Sequence, residues 1–135
     1  MNETMNLTNK PPIVVSEHDF DRIVALLERI DRGAPPTAQE LQAEIDRAQI
    51  APTAAMAPDV VRIGSTVSFV TDGAAPRRVT LVFPQEADIA QHKVSILTPV
   101  GTALLGLSPG QSIPWTGPDG RAHELTVLEV LPPAS

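Results

Sequence analysis

Three histidines, sixteen carboxylates and no cysteine bound the chemistry open to this 135-residue chain. His18, His92 and His123 lie far apart and lack the short spacings of a metal site. His18 falls in the first turn of a helix, His92 beside a loop and His123 in a strand with polar neighbours, so each reads as a solvated side chain. Ser16, Ser95 and Ser112 have no plausible His/Asp relay, and no Gly-x-Ser-x-Gly elbow or glycine-rich phosphate loop is present. Without cysteine there is neither a disulfide frame nor a thiolate metal ligand. Asp31 and Glu40 flank a turn between two helices, with Arg32 beside them; Glu40 reads as a helix-capping residue and Asp31 as solvated. Arg77-Arg78 makes a small basic spot at a hairpin end. The residues thus point to no catalytic group, no metal and no cofactor.

The bulk properties favour a binding protein. The length suits one domain or a small domain with an appendage, and 42% hydrophobic content is enough for a core although aromatics are scarce. No stretch approaches the roughly 18 consecutive apolar residues of a membrane span, and Met1 to Lys10 lacks the apolar centre of a signal peptide. A soluble cytoplasmic protein is expected, with no membrane partner. A net charge of −6 argues against broad or sequence-specific contact with nucleic-acid phosphates. A protein partner or small ligand is the better expectation, with a monomer as the simplest state.

The elements that would position any site follow from periodicity. Residues 1–12 read as a flexible tail. Ile13-Val14-Val15 is an extended lead-in, Ser16 caps a helix, and Val15 is placed to staple onto Phe20. Phe20, Ile23, Val24, Leu27 and Ile30 recur at three and four residues and draw one apolar stripe. Gly33 and Pro35-Pro36 stop this helix; Thr37 with Glu40 forms a capping box for a second, burying Leu41, Ile45 and Ala48. So short a turn predicts an antiparallel helical hairpin, a small coiled coil, over 13–50. An Ala/Pro-rich linker over 51–58 follows.

After residue 59 the period changes to two. Thr66 to Val70, Val79 to Phe83, Lys93 to Leu97, Ser112 to Thr116 and Ala122 to Leu131 read as strands, with turns at Asp72-Gly73 and Gly117-Pro118-Asp119-Gly120. Phe69, Phe83 and Trp115 read as core. The fold class is α+β: a short helical hairpin, then an antiparallel sheet domain over 59–135 carrying one short helix. That helix lies in the run Ser95 to Gly106. Thr98 can cap it with its hydroxyl, Pro99 suits the first helical position, and Gly106 can take the left-handed conformation that ends it. Small Gly101 and Ala103 allow close approach to a sheet.

The same run, through Ser95, Pro99, Val100, Gly101, Ala103, Leu104 and Leu105, resembles the C-terminal motif of the bacterial Gre transcript-cleavage factors, departing at Thr98 and Gln111. That resemblance implies an FKBP-like sheet domain. Further stretches are similar to the Rnk family, the regulators of nucleoside diphosphate kinase: Pro12 to Val15, Glu44 to Ala48, Asp59-Val60-Val61, Val79 to Pro84, Pro99 to Leu107 and Val127 to Leu131. The Rnk resemblance implies a non-catalytic regulator that binds RNA polymerase at the rim of its secondary channel and competes there with Gre-type factors. It places partner contacts at Leu97, Thr98, Pro99, Val100 and Gly101, with Asp31, Arg32 and Glu40 at the hairpin tip. Gre factors use acidic tip residues to help hold a metal at the polymerase centre. Here the hairpin, with arms of roughly 20–24 Å at about 1.5 Å per residue, is about half the expected length. A cleavage factor, a prolyl isomerase and an interaction module with another partner are the competing readings. The isomerase reading suffers from the shortage of aromatic rings, with no Tyr and one Trp.

Overall fold

The computed structural model describes residues 10–30, 36–117 and 119–133. Strand β1 (Val14–Ser16) runs into helix α1 (Glu17–Arg29); helix α2 (Pro36–Arg47) leads to β2 (Gln49–Ala51). β1 and β2 pair in parallel, with Val15 opposite Ile50. Strands β3 (Thr66–Thr71), β4 (Arg77–Val82), β5 (Lys93–Ser95), β6 (Ser112–Thr116) and β7 (Ala122–Leu131) form one sheet in the order β5-β4-β3-β7-β6, and helix α3 (Pro99–Leu104) follows β5. The expected antiparallel sheet is therefore corrected to a mixed one, because β5 pairs parallel to β4. A parallel pair needs a crossover, and residues 83–92 supply it through two 3-10 turns, Pro84–Glu86 and Ile89–Gln91.

Ser16 caps α1 as its sequence position predicts, its hydroxyl accepting from the Asp19 N–H at 3.0 Å. Asp19 itself is buried, 4% exposed, and its carboxylate accepts from the Ile63 N–H at 3.0 Å. It thus ties α1 to the segment entering the sheet. The expected capping box at α2 does not form. Pro36 already opens the helix, so Thr37 lies inside its first turn and donates its hydroxyl to the Leu97 carbonyl. The stretch expected to be a linker is partly structured: Ala51 belongs to β2, and Thr53 opens a 3-10 turn whose hydroxyl accepts from the His18 N–H at 3.1 Å.

One continuous core runs through the molecule. Ile23 and Leu26 of α1 and Leu41 and Ile45 of α2 join Phe69, Leu81, Leu104 and Val127 in it. Arg22 lies over the Phe83 ring, 4.3 Å from its centroid. Both helices thus bury a face in the core they share with the sheet. Leu26, which lies outside the expected stripe, is buried, whereas Phe20, Val24, Leu27 and Ile30 are only partly so. Glu44 is 2% exposed and is compensated by Lys10 at 3.2 Å and Arg47 at 2.9 Å.

Strand β7 departs from strict alternation. Ser68 faces Glu129 but Phe69 faces Val127, so Leu128 is an extra residue on β7. This bulge leaves Leu128 exposed and returns Val130 to the buried face with Leu125 and Val127. The sheet ends in the three-residue β5 on one side and in β6, which contains Pro114, on the other. No described helix is long and apolar enough to cross a membrane.

Replacing Asp19 by Ala orphans the Ile63 N–H, a loss of about 1–3 kcal/mol for a buried donor. Urea unfolding of Asp19→Ala is expected to show a lower midpoint with an unchanged slope.

Candidate functional site

The strand-to-helix turn after β5 is held by hydroxyls. The Thr98 Oγ1 accepts from the Gly101 N–H at 3.0 Å and donates to the Ser95 carbonyl at 2.7 Å. The Ser95 Oγ accepts from the Leu97 N–H at 3.0 Å, and Thr102, buried in α3, donates to the Ile96 carbonyl at 2.6 Å. Thr37 adds the bond to Leu97 from α2. The predicted cap at Thr98 and helix start at Pro99 are present.

Gly101 cannot be larger. A Cβ there would fall on the Ser95 carbonyl oxygen and come within 3.0 Å of the Ile96 Cα, both backbone atoms. Gly101 is buried beneath the turn, which corrects its place among the expected contact residues. Leu97, Thr98, Pro99 and Val100 are half-buried and can meet a partner.

Beside this turn lies an apolar groove of about 500 Å³. Pro99 and Val100, Trp115 of β6, Val79, Val94 and Ile89 supply its apolar lining. Ile89 is 88% exposed, the most exposed large apolar side chain described. It stands on the 3-10 turn of the crossover, which Asp88 caps by accepting from the Ala90 N–H at 3.1 Å. Arg77, His92 and Lys93 also line it. A chain of net charge −6 thus sets Arg77 and Lys93 around this apolar groove.

Ile89 is the one large aliphatic residue in Glu86 to Lys93, and nothing local in the sequence says it stays outside the core. Trp115, expected in the core, is a half-buried groove wall, whereas Phe69 and Phe83 are buried as predicted. Of the expected tip residues, Asp31 and Arg32 lie outside the described residues. Glu40 is exposed and borders a separate cavity of about 250 Å³ with Lys10, Glu44, Pro99, Thr102 and Trp115. Among the described residues no three His, Asp or Glu side chains gather as metal ligands.

His123, expected as a solvated side chain, is partly buried between two hairpin turns. Its Nδ1 lies 2.6 Å from Asp72 Oδ2 and its Nε2 lies 3.1 Å from Asp119 Oδ1. The hydrogen bonds to Asp72, then to Asp119, raise the imidazole above the usual histidine range. Asp72 is lowered by the Glu124 backbone N–H and then by His123; Asp119 is lowered by the Arg121 backbone N–H and then by His123. The imidazole lies beside the Trp115 ring, with centroids 5.4 Å apart and the planes tilted by 38°.

Comparison with known proteins places these features among relatives. The family model of the C-terminal part of transcription elongation factors GreA/GreB matches residues 56–132, and that of the Rnk N-terminus matches residues 11–50. The Escherichia coli K12 regulator of nucleoside diphosphate kinase is 41% identical over 124 residues, 90% of each chain. Transcription elongation factor GreA of Azorhizobium caulinodans is 34% identical over 92 residues, 67% of this chain and 58% of that protein. A solved GreA/GreB-type elongation factor from Nitrosomonas europaea superposes with a TM-score of 0.72 at 37% identity, covering 90% of this chain and 99% of that one.

Two outcomes separate support from surface. Gly101→Ala forces backbone apart and is expected to cost about 1–3 kcal/mol in urea unfolding. Ile89→Ser, at an exposed position, is expected to stay within about 0.5 kcal/mol of the parent. In pH scans the His123 contribution is expected in full below the unfolded histidine value of about 6.5 and lost as pH rises through the raised folded value. The aspartate contributions are present above about 3.9 and lost as pH falls through their lowered values. Thermal melting of the parent against His123→Gln therefore is expected to differ most between those limits.

Proposed function

Since this chain belongs to the Rnk family, the regulators of nucleoside diphosphate kinase, and carries a GreA/GreB-type C-terminal part, we propose that it is a non-catalytic regulator that docks on RNA polymerase. It sits at the rim of the secondary channel and competes there with Gre-type factors. Residues 59–135, an FKBP-like unit, supply the docking surface. Residues 13–50, an antiparallel helical hairpin joined through 51–58, occupy the channel mouth. The protein works as a cytoplasmic monomer, and its kinship implies an influence on nucleoside diphosphate kinase levels.

The observation that carries this reading is the kinship along nearly the whole chain, combined with an exposed apolar groove beside the Thr98–Val100 turn. Leu97, Thr98, Pro99 and Val100 are the contact residues, held ready by their hydroxyl bonds, so little ordering entropy is lost on docking. Reach argues against a cleavage role. Helices of 13 and 12 residues extend about 20 and 18 Å at about 1.5 Å per residue, and each buries a face in the core shared with the sheet. A carboxylate carried on so short an arm is poorly placed to serve a distant catalytic centre.

Mixed with core polymerase at micromolar concentration, the protein is expected to co-elute on a sizing column; separate elution refutes docking. Ile89→Asp is expected to reduce co-elution at least several-fold while leaving the melting temperature within a few degrees of the parent. Backtracked complexes are expected to shorten their transcripts no faster with the protein than without it, and acceleration would instead establish a cleavage factor.

A further inference from the structure

We propose that His123, in its imidazolium form, positions Trp115 in the wall of the docking groove, so that loss of the ring proton loosens that wall. The proposal rests on the groove being the docking surface, and it concerns the regulation of that surface.

The geometry demands the proton. Both ring nitrogens of His123 face carboxylate oxygens, Asp72 at 2.6 Å and Asp119 at 3.1 Å. A neutral imidazole has one N–H and one lone pair, so it can donate to only one carboxylate and must turn its lone pair on the other. The imidazolium donates to both. Asp72 and Asp119 are the ionisable side chains paired with the ring; Arg121 and Glu124 meet these carboxylates only through backbone N–H groups, at 2.9 and 2.8 Å.

The two carboxylates belong to different hairpin ends. Asp72 sits in the turn between β3 and β4, and Asp119 in the turn between β6 and β7. The charged ring therefore pins both ends of the sheet's central hairpins together. Gly117 packs over it, and a Cβ at that position would lie 2.9 Å from His123 Cδ2.

Trp115 depends on this arrangement. Its indole Nε1 is buried without a hydrogen-bond partner among the described residues. No hydrogen bond from that N–H sets its pose. The imidazole is paired across the strands with Trp115, its ring centroid 5.4 Å away and tilted by 38°. Trp115 lines the groove together with Pro99 and Val100. A raised imidazole basicity, caused by the same two carboxylates, keeps the clamp closed further into the neutral range than an ordinary histidine would.

Trp115 is the only tryptophan in the chain, so the protein reports on itself. Imidazolium in contact with indole quenches its emission. Emission of the full chain is expected to rise with pH through a midpoint above about 6.5, the ordinary histidine value. Asp72→Asn keeps an oxygen for the Glu124 N–H but removes the charge, and is expected to lower the midpoint. His123→Gln is expected to abolish the titration. Gly117→Ala, which displaces the ring without altering charge, is expected to reduce its amplitude. A flat parent curve, or a midpoint that Asp72→Asn leaves in place, overturns the proposal. Polymerase co-elution, run at both ends of the titration, separates the two readings. If the parent weakens several-fold more than His123→Gln as pH rises, the proposal is supported. Equal weakening of the two overturns the coupling. If neither binds at any pH while the emission titrates, polymerase docking fails and the His123–Trp115 positioning stands.

Discussion

The molecule is hinged on the absence of a side chain at residue 106. Gly106 has φ of +81°, a conformation that suits glycine, and it ends the turn that α3 begins. Its N–H donates to the Val61 carbonyl at 3.0 Å, and its carbonyl accepts from the Val14 N–H at 3.3 Å. A Cβ would sit 2.7 Å from the Ile13 Cβ and 3.1 Å from the Val14 carbonyl oxygen. Here the N-terminal strand, the segment entering the sheet and the short helix come together. Because β1 is pinned there, β2 pairs with it and the two long helices are bound to the core.

From this joint the rest of the design follows as a series of hydrogen bonds between distant residues. Asp19 reaches Ile63, Thr37 reaches Leu97 and Gln111 reaches the Pro12 carbonyl at 3.3 Å. The first two fill part-buried backbone partners, and the third lies at the exposed surface. The turn at Thr98–Val100 is consequently supported from behind by α2 and from below by β5, while its outer residues stay accessible. Rigidity at the back and apolar surface at the front are what a surface needs in order to bind without reorganising.

How much of this was legible depends on the range of the interaction involved. The caps at Ser16 and Thr98, Pro99 at the start of α3 and Gly106 at its end are local choices, and they stand where composition put them. The five strands of the sheet were legible from alternation. Features set by distant partners were not. Gln49–Ala51 falls at the join of hairpin and linker in the sequence, and is a strand only because β1 is brought beside it. Thr37 has the look of a cap, but Pro36 precedes it and a carbonyl sixty residues away claims its hydroxyl. Strict alternation puts Val130 on the face of Leu128, until the extra residue of β7 returns it to the side of Leu125 and Val127. In the site, the motif residues were readable through their resemblance. Ile89 and the His123–Trp115 pair were not, since a lone isoleucine and a lone histidine carry no period.

The borders of the sheet have a consequence for how this chain behaves in company. An open row of backbone donors and acceptors invites a stranger's strand. One border here is only three residues long, and the other is interrupted by Pro114, which has no N–H to offer. The sheet therefore discourages lateral growth into ribbons, and recognition is left to side chains and to the shape of the surface.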